Sequence, residues 1–265
     1  MTLTLHQEPR TGPFPRLHDG LCLFLPFEMT DSPASPREQI TGGRPANGTT
    51  SRARDKWGNG IARFNGTTEH LKYNDGPGMR QPSMALTTYC RVYFASLPGS
   101  GAPPVGKDVN AGAGYSYGLE VDQSNTAGYI WTSASNNVVA PACPTGSWVS
   151  IFARWTSGTP LSVEGYYDGG RVAIAKTTIG SFTGPLAYDA GQLLLGTSTG
   201  GTHLAMDMAC FAVWNRRVTD AEMFLLVVDP EVLFRRTNLS LAPLAAVPAD
   251  VNYQPIQPLR RAGHL

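Results

Sequence analysis

The sequence predicts an all-β protein: an antiparallel β-sandwich with one short C-terminal helix and extended arms at both termini. Three observations predict it. From Ile61 onward the apolar segments are short and rich in branched and aromatic residues. Turn-forming residues separate them, with 29 Gly and 21 Pro among 265 residues. A convincing helix start occurs at one place, near Thr219. The length suits one large β domain of roughly 200 residues or more, and 42% hydrophobic residues supply its core.

Residues 1–19 contain Pro13 and Pro15, show no period and read as an extended arm. The sandwich is expected over 20–236. Leu21 to Phe27 (LCLFLPF) is its first apolar strand, and a polar, proline-containing loop follows over 30–59. Loops of that length are usually functional or held by a neighbour. IARFNG, HLKY, MALTTYCRVYF, YSYGLEVD, AGYIWTS, SWVSIFARW, LSVEGYYDG, RVAIA, GQLLLG and MACFAVW then read as strands. In SWVSIFARW, alternation puts Val149, Ile151, Ala153 and Trp155 on a wholly apolar face, with Trp148, Ser150, Phe152 and Arg154 on the other. Tyr167-Asp168-Gly169-Gly170-Arg171 joins two alternating runs as a hairpin, because Asp-Gly-Gly tolerates positive φ. Thr219-Asp220-Ala221-Glu222 forms a capping box ahead of MFLLVV, and Asp229-Pro230 ends the helix. Residues 237–265 are apolar but punctuated by proline, a second arm that cannot bury itself alone.

Charged residues make up 15% of the chain and the net charge is +1. That balance excludes the basic bias of nonspecific nucleic-acid binding and gives no reason for a membrane partner. No apolar run reaches the roughly 18 residues of a membrane helix, and the first residues lack the pattern of a secretory signal. Synthesis in the cytoplasm without export by that route is expected. Cys22, Cys90, Cys143 and Cys210 have no close partner in sequence and read as buried free thiols, Cys143 being the most accessible because prolines flank it.

The segment from Gly146 to Phe234 resembles the laminin-G-like, concanavalin A-like lectin/glucanase family. The residues that carry the likeness are SWVSIFARW, VEGYYDGGRVA, GQLLLGTST, MACFAVWNRRVTDAEMF and VDPEVLF. The resemblance implies a jelly-roll sandwich from about Leu21. A helix followed by Asp-Pro, a Leu-Phe pair and a Pro-rich tail also resembles virion structural proteins of tailed bacteriophages, in keeping with 17 Arg against 4 Lys. That likeness implies a non-enzymatic capsid decoration protein, or a head-fibre or tail component, made in the host bacterial cytoplasm. Its partners would be the major capsid protein, other virion proteins or further copies of itself. Phe14, Leu239, Leu241, Leu244, Val247, Tyr253, Ile256 and Leu259 are the arm residues expected to lie on a neighbour.

Catalysis is not expected. Related glucanases carry three acidic residues on one strand, two of them flanking the scissile bond, whereas Glu120-Val121-Asp122 is followed by Ser124 and Asn125 where a second Glu is needed. The two carboxylates read as exposed residues of an alternating strand. His6, His18, His70, His203 and His264 are scattered without metal-site spacing, so no zinc site is expected. No cofactor is expected beyond calcium, which laminin-G-like domains sometimes hold at a rim. Asp75, Asp122, Asp189 and Asp207 are its candidate donors, Asp189 with Asp207 first, although turn capping explains either more simply. A glycan-binding alternative rests on Tyr129, Trp131, Asn136 and Asn137, close together in sequence, with Tyr115 and Tyr117 as a second aromatic pair. Trp57, Trp148, Trp155 and Trp214 are assigned to core packing.

Overall fold

The computed structural model describes residues 17–27, 45–54, 60–76, 84–108, 115–131, 135–167, 172–186, 191–198 and 201–233. All of them belong to the unit Met1–Phe234, which is followed by a second unit, Arg235–Leu265. Phe14 and the arm positions from Leu239 to Leu259 lie outside the described residues.

The strands in chain order are β1 (Leu21–Pro26), β2 (Asn47–Thr49), β3 (Ser51–Arg54), β4 (Gly60–Asn65), β5 (His70–Tyr73), β6 (Ala85–Tyr93), β7 (Ala102–Asp108) and β8 (Tyr115–Val121). They continue with β9 (Asn125–Trp131), β10 (Ser135–Pro141), β11 (Trp148–Thr156), β12 (Thr159–Tyr167), β13 (Val172–Phe182), β14 (Leu193–Leu195) and β15 (Ala205–Trp214). Helix α1 (Asp220–Val228) and a short 3-10 turn, Pro230–Leu233, close the described chain. Two sheets result. The first runs β13-β12-β11-β6-β15-β4-β3, with β1 also paired to β15, and the second runs β10-β9-β8-β7-β14-β5-β2. The described strand pairs are antiparallel, among them Tyr167↔Val172 of the expected hairpin, whose turn residues lie outside the described residues.

The region expected to be one long loop over 30–59 contains β2 and β3, the outer edge strands of the second and first sheets. Their sequences, NGT and SRAR, carry no apolar alternation because an edge strand can be held by ladder hydrogen bonds alone.

Between the sheets lies the main core, to which β11 gives Val149, Ile151, Ala153 and Trp155, the face its alternation predicts. Gly128 of β9 faces the same space, where an added Cβ would stand 2.9 Å from that of Ala153. The opposite face of the first sheet is buried too over part of its length. There Tyr89, Phe152, Ala212 and Trp214 meet Met223, Leu226 and Val227 of α1, together with Leu17 and Leu233. Tyr89 stacks on Phe152 with ring centroids 4.6 Å apart. Trp214 donates its indole N–H to the Leu17 carbonyl at 2.6 Å.

Polar bonds fix the approach of α1. The capping box is present: the amide of Glu222 donates to Thr219 Oγ1 at 3.2 Å, and the Thr219 amide donates to Glu222 Oε2 at 2.8 Å. Arg216 grips the same carboxylate through both terminal nitrogens, at 2.7 and 2.5 Å. Burial pushes the Glu222 carboxyl up, but the bonds from Arg216 and Thr219 prevail and hold it below its ordinary value.

Arg154, 1% exposed, donates to Glu164 Oε1 at 3.0 and 2.6 Å and to the Val218 carbonyl at 2.9 Å. It also reaches Asp220 Oδ1 at 2.7 Å, which ties the entry to α1 onto β11 and β12. Replacing Arg154 with Met is expected to strand the Glu164 carboxylate in the second core and to cost about 3–5 kcal/mol. Chemical denaturation of the wild type and Arg154→Met checks this, and a loss under about 1 kcal/mol, the ceiling for a typical solvent-exposed pair, contradicts it.

Candidate functional site

Three arrangements concentrate chemistry among the described residues: a polar trio on the second sheet, an aromatic row on the first, and a histidine pair near the second sheet's edge. The trio includes half of the expected glycan set. Tyr129 of β9 stands opposite Asn137 of β10, whereas Asn136 is paired with Ile130 and Trp131 with Ser135. The side chains of Trp131, Asn136 and Tyr115 lie outside the described residues, and Tyr117 is buried in the core. Strand β8 supplies the third member, Glu120, two residues along from Gly118, the other cross-strand partner of Tyr129.

Tyr129 is half-buried, and its pKa is pushed well up, first by burial and then by the neighbouring Glu120, while Asn137 acts the other way. Gly101 makes room for that carboxylate, since an added Cβ there would lie 1.6 Å from Glu120 Oε1. Asn137 is exposed. The trio therefore offers a ring, an amide and a carboxylate, a set that can bind a polyhydroxylated ligand.

Glu120 and Asp122 are not the exposed pair expected from the strand pattern. Asp122 turns back to accept the amides of Ser124 at 2.6 Å and Asn125 at 2.7 Å, closing the β8–β9 turn. The candidate calcium donors that are described are each engaged. Asp207 holds Arg63 in a two-pronged bridge at 2.8 and 2.9 Å, and Asp75 lies 3.1 Å from the buried ammonium of Lys107, which also donates to the Gly191 carbonyl. Asp189 lies outside the described residues.

A second aromatic surface departs from expectation. Trp155 and Trp214 are fully buried, and Trp57 lies outside the described residues, but Trp148 is only partly buried. It occupies the end of β11 beyond the reach of α1, 5.9 Å from the Tyr93 ring, with the Arg91 guanidinium 5.8 Å from its centroid. Strand register extends this into one row across five strands: Ser51, Arg63, Asp207, Tyr93 and Trp148. Alternation assigned Trp148 to the outer face correctly, while its type suggested core.

Cys143, expected to be the accessible thiol, is 4% exposed, contacts Thr126 Oγ1 at 3.0 Å and is pushed up to about 11 by burial. Proline flanks do not expose a residue whose side chain points between the sheets.

Spacing gave no partner to any histidine, yet folding brings His70 and His203 together. His70 opens β5, and His203 forms a backbone bridge with Thr197 just after β14. Their rings lie 5.3 Å apart. The pKa of His203 is held below its ordinary 6.5, first by burial and then by His70 and Lys72. Between the lowered folded value and the ordinary one, the unfolded chain binds more protons. The His203 contribution to stability is thus complete above 6.5 and lost as pH falls through the folded value. Melting temperatures taken from about pH 7.5 to about pH 5 are expected to fall more steeply for the wild type than for His203→Gln, and parallel curves refute this.

These features define a concanavalin A-like sandwich with polar and aromatic groups on its outer faces. Residues 65–223 match the family model described as the concanavalin A-like lectin/glucanases superfamily, of laminin G type, and the chain belongs to that family. No curated protein matches it by sequence. Among solved structures, the binding domain of Paraclostridial Mosquitocidal Protein 1 is similar at TM-score 0.60 and 10% identity, over 78% of this chain and 52% of that one. The botulinum neurotoxin serotype G binding domain is similar at TM-score 0.58 and 11% identity, over 78% and 50%. Trypanosoma rangeli sialidase in complex with sialic acid matches at TM-score 0.56 and 15% identity, over 81% of this chain but 33% of that one. The chain thus corresponds to about half of the toxin structures and a third of the sialidase, and at these identities the likeness concerns the fold.

Proposed function

We propose that the chain is a non-enzymatic structural protein of a phage particle, a capsid decoration protein whose sandwich is displayed while its arms or the 30–59 segment dock on the major capsid protein or another virion protein. The observation that carries the non-enzymatic part is the use of the described carboxylates. Glu164 neutralises Arg154, Glu222 caps α1 and binds Arg216, Asp207 holds Arg63, and Asp122 closes a turn. Most glycoside hydrolases use two carboxylates facing across a bond, and Glu120 has Tyr129 as its neighbour instead. The virion setting is supported by the sequence resemblance of the closing Asp229-Pro230, Leu233-Phe234 and Pro-rich tail. A head-fibre or tail position uses the same parts.

Deleting residues 238–265 is expected to leave the melting temperature of the sandwich within a few degrees, roughly the effect of 1 kcal/mol or less, while abolishing its incorporation into particles. A large loss of melting temperature would show that the segment belongs to the domain's own core. Light scattering of the full chain separates a monomer awaiting a lattice from a self-associating fibre component.

The Tyr129, Glu120 and Asn137 trio favours a second reading, recognition of a glycan by the displayed face. A glycan array is expected to give specific binding that Tyr129→Ala and Trp131→Ala each abolish. No binding at millimolar sugar removes this reading and leaves the decoration role standing.

A further inference from the structure

We propose that His70 and His203 form a binding site for a divalent transition-metal ion of the zinc class, with two protein ligands and the remaining positions taken by water. Two nitrogens in the pair, His70 Nε2 and His203 Nδ1, are buried without a hydrogen-bond partner. Buried polar atoms are rarely left so, and such exceptions require a reason. The other nitrogen of His70 faces the Thr68 carbonyl at 2.9 Å, to which its Nδ1–H donates. That bond fixes the tautomer whose Nε2 carries the free lone pair, the arrangement by which a backbone carbonyl orients a metal-binding imidazole.

The ring spacing fits as well. With Zn–N bonds of about 2.0–2.1 Å and a tetrahedral angle, two imidazoles sharing an ion have centroids roughly 5.2 Å apart. The observed separation is 5.3 Å, with the rings inclined at 46°. The rings are also held in place. A Cβ on Gly48 of β2 would stand 2.8 Å from His70 Cδ2 and 2.1 Å from the His70 carbonyl oxygen, so the glycine permits the close approach. Backbone pairing of His203 with Thr197 fixes the other side.

His203 further lines an open depression with Asn65, Ser96 and Pro98. Among the described residues no cluster of three or more His, Cys, Asp or Glu is placed to hold a metal, and Lys72 adds a like charge nearby. Both facts set the affinity below that of a closed structural site with four protein ligands. Two imidazoles select zinc, nickel or copper over calcium, which takes oxygen ligands.

The test is calorimetric titration of the untagged full chain with zinc chloride, paired with imidazole nitrogen NMR. One equivalent is expected to bind, weakened about tenfold or more in His70→Gln and in His203→Gln, and weakened again as pH falls. Lys72→Ala, which removes no ligand, is expected to tighten binding and serves where a histidine variant fails to fold. The NMR signals that move are expected to be those of His70 and His203. Absence of binding, binding as tight as the wild type's in both histidine variants, or shifts confined to His6, His18 or His264 overturns the proposal.

Discussion

Arg154 is a buried guanidinium, and the architecture behind the first sheet follows from that constraint. A buried charge is tolerable when its hydrogen-bonding capacity is met, and here the partners come from separate parts of the chain. Glu164 arrives from β12, the Val218 carbonyl and Asp220 from the approach to α1, and the Arg154 carbonyl in turn receives Arg217 at 3.0 Å. Meeting those bonds fixes where the helix begins. Its apolar side then falls on Tyr89, Phe152 and Trp214, which would otherwise face solvent.

One consequence is an outer face divided in two. Where α1 lies, the first sheet is buried on both sides. Beyond it, the row from Ser51 to Trp148 stays partly exposed, with Arg91 over the indole and a weak bond at 3.4 Å to Ser150. The second sheet bears the separate trio centred on Tyr129. These outward polar and aromatic groups therefore sit on strand faces held by ladder hydrogen bonds.

How much of this was legible depended on the range of the interaction. The alternation of SWVSIFARW, the pairing of β12 with β13 and the Thr219 capping box are local, and each appears where the sequence places it. Strands β2 and β3 were hidden because edge pairing needs no apolar pattern. Trp148 was misassigned because residue type says nothing about how far α1 extends over β11. Glu120 could not be joined to Tyr129, nor His70 to His203, because cross-strand and inter-loop neighbours depend on strand order, which one sequence does not reveal. Asn137 was singled out by proximity, and register then separated it from Asn136.

Leu17 and Leu233 share the same buried cluster, and β1 begins opposite the last residue of β15, Leu21 against Trp214. The described chain thus enters and leaves the sandwich side by side. Anything that held the polypeptide on one side of the domain would bring the other side within reach of the same support. A second attachment would then be intramolecular, with an effective concentration set by the short span between the exits rather than by the protein in solution. Two individually weak anchors at those exits would act as one strong one.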